Sequence, residues 1–520
     1  MSEETVRIEN RYEGGVSRPP QVKLVKAFAN SFKNVIAAAR TCYSSKGIIE
    51  DESIEMDRYR SLALDIYEAG HHTTFQHATF QFQLSDVSRQ FIWSFLHSHP
   101  FYNSEQVSQR YVEVKDGNFF VPPLKGEALE VYTNTAGVQI QAYRKLVELL
   151  MRPAGRAYLA VFPRRGNDKR FAGEIKKKAQ EIARYVLPVA TFSYLYHTVS
   201  GITLLRYAKM SKSGDTPYEQ QIVVDMMVRE LLKFDPNYQL VIEEPLDEKF
   251  FSNENIGNHE AQSDFIGEFD RELGDHVSKL VDYKANSEKV IACAVREVLG
   301  RSSSELSDSE AIALAIDPVR NKVLQSSLVL TTHDKISRAL YHASYTFRKK
   351  LSHTADSQDQ RHRMTPGSRP IIAEHMRSEP DYIVPKLVLL DDEAERLYRR
   401  TMNVTWESID RLISLGVSTE FAAYLLPNAF PIRFTESADL LNLHHKAEMR
   451  LCYNAQEEIW KASLDEVEQI KQVHPALGKF LLPPCTVRSM AGTTPYCPEG
   501  KRYCGVPVWK LDTSEYSRTI

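Results

Sequence analysis

No stretch of about 18 uninterrupted apolar residues occurs in the 520-residue chain, so no membrane-spanning helix is expected. The first residues, Met1 to Asn10, are polar and acidic, which argues against a secretory leader. Cysteine is scarce. The six residues include no Cys-x-x-Cys pair, so a disulfide scaffold is not expected and a reducing, cytoplasmic compartment is. Neither sign of charge dominates: the formal charge is −3, which offers no long polyanion a partner and disfavours nucleic acid. What remains, 42% hydrophobic and 26% charged, is ordinary globular composition with length for about two to four domains.

The densest chemistry runs from His71 to Val114. Thr79 to Leu84 alternates, with Phe80, Phe82 and Leu84 on one side, which predicts a half-buried strand. Asp86 reads as a helix cap, and Val87, Phe91 and Phe95 form a helical stripe that carries Arg89 and stops at Pro100. The polar run Asn103 to Arg110 then holds an amide, a carboxylate, hydroxyls and a guanidinium, which suits an anionic, polar ligand.

Short words recur in one order. Ala29-Asn30-Ser31 returns as Ala285-Asn286-Ser287, Ser88-Arg89 as Ser337-Arg338, Gln109-Arg110 as Gln360-Arg361, and Leu187-Pro188 as Leu426-Pro427. These echoes predict a tandem duplication. Helices are expected in Leu129 to Leu150 and Lys176 to Leu187 of the first copy. The expected layout is a first unit in 1–245 with an N-terminal arm to residue 20, a connection in 246–279, a second unit in 280–475, and a tail in 476–520.

The pattern of Phe75-x-His77, alternating strand, Val87-Ser88-Arg89, helix, and Ser108-Gln109-Arg110-Tyr111 resembles the flavin-dependent thymidylate synthases. That family's signature is Arg-His-Arg, seven or eight residues, then Ser-x-Arg. Eight residues before Ser108 stand His97-Ser98-His99, and eight before Asp359 stand Arg348-Lys349-Lys350; Arg361 follows Asp359 at the Ser-x-Arg spacing. By the same count His77 aligns with Ser326. Late in the second copy Arg450 falls where the family carries a catalytically placed arginine, and in the first copy Ser211 or Ser213 falls there.

The resemblance implies an α/β (α+β) fold of two such units, each an antiparallel or mixed sheet with long helices. It implies reductive methylation of dUMP to dTMP, with FAD as cofactor and NADPH and methylenetetrahydrofolate as co-substrates. Alternatives are a flavin-assisted one-carbon transfer on another pyrimidine nucleotide, or a non-catalytic nucleotide-binding relative. The implied substrate-binding set is Gln106, Ser108, Gln109, Arg110, Arg361 and Arg450, with Ser108 and Arg450 catalytic. The implied flavin set is His77, Arg89, His97, His99 and Asn103. The residue types suit that chemistry, because a phosphate takes a bidentate guanidinium and a fixed arginine stabilises charge developing on uracil carbonyls. His97 and His99 also fit the plainer role of cations at a helix C-terminus.

Cys485, Cys497 and Cys504 crowd a Pro- and Gly-rich tail. With His474 upstream they offer four ligands for zinc, or they are three thiols in a packed arm. Two units per chain predict a homodimer that acts as a pseudo-tetramer.

Overall fold

The computed structural model describes residues 17–162, 169–246 and 264–518. The fold is mixed α/β with two antiparallel sheets. Strands β1 (Gln21–Ala27), β2 (Thr79–Ser88), β3 (Tyr102–Gln106) and β4 (Phe192–Ser200) lie in the order β1-β2-β4-β3. Strands β5 (Ser278–Tyr283), β6 (Ser344–Ser352), β7 (Gly367–Ser368) and β8 (Pro431–Asp439) repeat it as β5-β6-β8-β7. The repetition expected from the echoes is therefore a repetition of topology.

In β2 the alternation buries Phe80, Phe82 and Leu84, as the sequence predicts. The strand nevertheless runs four residues further. A bulge between Ser85 and Val87, with Asp86 at a φ of 54°, turns Val87 and Ser88 inward. Asp86 is thus part of the strand and pairs with Arg18 at 3.2 Å, while the cap of the next helix (Arg89–His97) is Ser88, whose Oγ accepts from Phe91 N at 2.8 Å.

The expected helices lie within Gly126–Val161 and Lys169–Ala183, the second followed by a turn at Arg184–Val186. Of the connection, 247–263 lie outside the described residues, as do 1–16 of the arm and 163–168. The rest of the connection is not a plain loop: helix Phe265–Leu273 lies against the second sheet, its Asp270 paired with Lys350 at 2.7 Å and Arg433 at 2.9 Å.

One hydrophobic core sits under each sheet, around Phe32, Phe80 and Phe82 in the first and Ile291, Tyr345 and Phe347 in the second. A third is shared. It joins Gly126–Val161 and Lys169–Ala183 to Asp392–Ser414 and to the segment 422–432. At its centre Pro188 and Pro427 form an antiparallel bridge. Val189 N donates to Leu426 O and Asn428 N to Leu187 O, both at 2.8 Å; Ala190 N donates to Tyr424 O and Ala429 N to Tyr185 O, both at 2.9 Å. Every bond has a partner with the two copies exchanged, which is the pattern of a local two-fold axis inside one chain.

Candidate active site

The helix caps fix which residues correspond. Ser88 N and Oγ donate to Glu219 at 2.7 and 2.6 Å, and Ser352 N and Oγ donate to Glu458 at 2.5 and 2.7 Å. Across the axis Tyr424 donates to Glu219 at 2.8 Å and Tyr185 to Glu458 at 2.5 Å. Ser88 therefore matches Ser352, not Ser337. The turn Ser337–His342 matches His72–His77 instead, since Ala78 O and Ala343 O each accept from the residue opening the helix after β4 or β8, Gly201 N and Leu440 N. His342, not Ser326, stands where His77 does.

The same count relocates the triplet. His97-Ser98-His99 begins nine residues after Ser88, and nine residues after Ser352 stands Arg361-His362-Arg363. The second copy thus carries a full Arg-His-Arg. Arg348, Lys349 and Lys350 lie within β6, and Asp359 ends the helix His353–Asp359 rather than standing for Ser108. Counting from Ser200 and Asp439, the caps after β4 and β8, matches Arg450 to Ser211, a buried residue whose Oγ has no partner.

Cations gather where the copies meet. Arg89 NH1 donates to Gln106 Oε1 at 2.8 Å and NH2 to Val107 O at 3.3 Å. Arg450 Nε donates to His362 Nε2 at 2.8 Å and NH2 to Gln358 O at 2.6 Å. Neither guanidinium bonds a carboxylate. Burial, then Arg184, pulls Arg89 down to about 9; burial pulls Arg450 down to about 10, with Asp359 opposing and Arg361 and Arg110 adding to the fall. A buried cation that lacks a counter-charge is costly, and a bound anion removes that cost.

Arg110 is differently placed from the expectation of a free phosphate ligand. Its Nε bonds Glu181 and its NH2 donates to Asn454 O of the second copy at 3.0 Å, leaving NH1. Arg184 reaches Gln456 at 2.9 Å, and Lys178 pairs with Glu181 at 2.6 Å. Although burial opposes it, Lys178, Arg110 and Arg184 hold the Glu181 carboxyl down at about 2. Arg361 pairs with Glu105 at 2.6 Å, and Arg363 reaches Asn103 Oδ1 at 3.2 Å and lies over the Tyr102 ring. Seven cations, Arg89, Arg110, Lys178, Arg184, Arg361, Arg363 and Arg450, gather here with the paired carboxylates Glu181 and Glu105, so the cleft between the copies is net positive.

Gln106 and Asn103 lie on β3 in contact with Arg89 and Arg363, and Ser108 and Gln109 follow that strand. Ser108 Oγ accepts from Arg110 N at 3.3 Å. Gln109 is buried; its Oε1 accepts from Asn428 at 3.2 Å while its Nε2 has no partner, and it lines a cavity of about 230 Å³ with Asp86, Val107 and Tyr194. His97 and His99 face elsewhere. His97 Nδ1 lies 2.8 Å from Trp93 O and its Nε2 3.3 Å from Asp356, and His99 Nε2 lies 2.7 Å from the Tyr207 hydroxyl. His77 is exposed and precedes β2, about 17 Å of strand from the level of Gln106. The sequence points to Arg361, His362, Arg363 and Arg369 as groups for Asp359 or another anion but not to their being the second copy's Arg-His-Arg, and Arg184 carries no sequence signal.

The tail departs from the zinc expectation. Cys485, Cys497 and Cys504 line one small cavity with Cys452, yet among the described residues no group of three or more His, Cys, Asp or Glu could hold a metal ion. His474 is engaged elsewhere, its Nδ1 2.9 Å from the Tyr345 hydroxyl and its Nε2 3.2 Å from Ala285 O. Burial raises the Cys452 and Cys485 thiols to about 12 and 11, which keeps them protonated. Among the described residues no helix is long and apolar enough to cross a membrane.

The family model described as thymidylate synthase complementing protein matches residues 23–237 and 279–476, one match per sheet. The chain belongs to this family. It is 26% identical over 221 residues to the flavin-dependent thymidylate synthase of Clostridium tetani, covering 42% of this chain and 84% of that protein. It is 26% identical over 214 residues to that of Saccharolobus solfataricus, covering 40% and 78%. Most of a relative thus fits within less than half of this chain. A solved UMP/dUMP methylase, PolB from Streptomyces cacaoi, shares 20% identity over 43% of this chain and 95% of its own, with a TM-score of 0.33.

Proposed function

We propose that this chain catalyses the reductive methylation of dUMP to dTMP at one composite site between its two copies, with FAD as cofactor and methylenetetrahydrofolate and NADPH as co-substrates. The observation that carries this is the pair Arg89 and Arg450, one from each copy, both largely buried and both bonded only to uncharged groups. A nucleotide monophosphate supplies the missing charge. In this reading Arg89, Ser108 and the free nitrogen of Arg110 hold the phosphate, and Arg450 stabilises negative charge on the uracil carbonyls as carbon 5 becomes nucleophilic. Belonging to the family, and similarity to relatives named flavin-dependent thymidylate synthases, support the same chemistry.

The residues present fit a flavin. Arg361 and Arg363 offer guanidiniums at the cleft mouth for a pyrophosphate, and Gln109 Nε2 is a buried donor with no acceptor. When bound, the flavin supplies hydride transfer; the protein orients the groups and keeps water out. No cysteine lies in the Ser108-Gln109-Arg110 loop or the Arg361-His362-Arg363 triplet, and no thiol nucleophile enters the reading.

The test is dUMP binding and tritium release from its carbon 5. Arg450→Ala and Arg89→Ala should each weaken binding about 10- to 150-fold, the worth of one hydrogen bond to a charged group. Full activity in both variants would sink the reading.

A further inference from the structure

The local two-fold axis that builds this cleft must build a second, pseudo-equivalent one, and the two are not alike. We infer that the second cleft has been filled by its own side chains, so that each chain binds one nucleotide rather than two. This rests on the composite site proposed above.

The comparison is residue by residue. Where the first cleft has Arg89 directly after the cap Ser88, the second has His353 after Ser352. His353 is buried, and burial above all holds it neutral, down at about 3. Arg184 is matched 239 positions on by Ala423, Arg450 by the buried Ser211, and Arg361-His362-Arg363 by His97-Ser98-His99. Five of the guanidiniums that make the first cleft an anion site are replaced by neutral or small groups.

The space is also taken. Trp93 Nε1 donates to Asp356 Oδ2 at 2.8 Å, and the Trp93 ring lies 5.4 Å from that of His353. Arg369 follows β7, but it is tied to Asp356 at 3.0 Å and Glu436 at 3.4 Å and lies over the Phe434 ring at 4.1 Å. Asp215 occupies the counterpart of Asn454, 239 positions earlier, and its Oδ1 accepts from Ile372 N at 2.7 Å. In the first cleft that contact is made by Arg110. A dianionic phosphate entering the second cleft would meet Asp215 and Asp356, with only the exposed Arg206 beside His99 left to receive it.

The experiment is equilibrium dialysis of the full chain, with FAD added, against labelled dUMP, counting moles bound per mole of chain. The expected result is one, weakened at least tenfold in Arg450→Ala and unchanged in Ser211→Ala and His97→Ala. Two per chain would overturn the inference while leaving the composite reading intact. One per chain that survives Arg450→Ala but is lost in His97→Ala would mean that the wrong cleft was assigned. No binding at all would remove the composite reading and this inference with it.

Discussion

Arg450 Nε donates to His362 Nε2 at 2.8 Å, which requires His362 to be neutral with its lone pair at that nitrogen. Burial, and next the charge of Arg450, drives the His362 pKa well below its ordinary value. The pair is therefore insensitive to pH across the neutral range. Nucleotide affinity should stay flat between pH 8 and pH 6 where it depends on this contact. His362→Ala leaves Arg450 anchored only by Gln358 O and should weaken dUMP binding roughly tenfold, the lower end for a hydrogen bond to a charged group. Dialysis at both pH values checks this, and an unaltered affinity in the variant would show that Gln358 alone positions Arg450.

Acid should destabilise the fold before it protonates ordinary carboxylates. Burial lowers His97, His99 and His375 to about 4 and His197 and His353 to about 3, and His362 falls with them. Each stays neutral when folded and takes a proton near pH 6.5 when unfolded, so its contribution is present above that pH and is lost below it. Glu219, raised by burial to about 7, Asp215, raised to about 6, and Glu458, also raised, act in the opposite sense. The histidines outnumber them. Glu436, Asp465 and Asp410, also raised, add to that opposition, and His445, also lowered, adds to the histidines, so the net direction is a loss of stability as pH falls below 6.5. Urea midpoints measured between pH 7 and pH 5 should fall steeply, and a flat profile would show that these rings are not buried neutral.

Local features were legible and register was not. The alternation of Phe80, Phe82 and Leu84, the helices, and the Ser108-Gln109-Arg110 loop depend on neighbours along the chain, and all stand where the residue pattern put them. The echoes at Asn30 and Asn286 and at Leu187-Pro188 and Leu426-Pro427 hold because both members open a helix or lie on the axis. The echo of Ser88-Arg89 in Ser337-Arg338 is accidental. The bulge at Asp86 shifts counts along the strand by one residue, the echo of Gln109-Arg110 in Gln360-Arg361 shifts the loop register, and only hydrogen bonding to Glu219 and Glu458 identifies the true caps. That shift hid the Arg-His-Arg at 361–363.

The tyrosines that cross the axis provide a measure of how firmly the copies are joined. Tyr424→Phe removes a donor to Glu219, and Tyr185→Phe a donor to Glu458, each buried. Either change should cost about 1 to 3 kcal/mol. For Tyr424→Phe the loss should be larger at pH 8 than at pH 6, because Glu219 ionises near 7 and its charged form depends most on the lost donor. Chemical denaturation at both pH values reads this directly. An equal loss at both would place the ionisation of Glu219 outside that interval.

At five matched interior positions an uncharged residue of the first unit corresponds to a charged one in the second. Under the first sheet these are Leu84, Phe95, His197, Tyr207 and Met227; under the second they are Lys349, Asp359, Glu436, Lys446 and Glu466. Lys349 reaches Asp359 at 2.8 Å, Glu466 at 2.9 Å and Glu436 at 3.1 Å, and Lys446 bonds Glu436 and reaches Asp359 at 3.2 Å. All five side chains are buried, so each charge has given up its water and relies on the others. Asp359 holds Lys349 well above its usual range despite burial. Removing one member strands its partners: Lys349→Met should cost about 3 to 5 kcal/mol. Replacing all five together by the residues of the first unit leaves no stranded charge and should cost less than the single change, or stabilise the chain, as apolar substitutes for buried ion groups do in other folds. Comparing urea midpoints of the single and fivefold variants decides it. A fivefold variant less stable than Lys349→Met would mean that the ions hold the second unit's structure in a way that packing cannot replace.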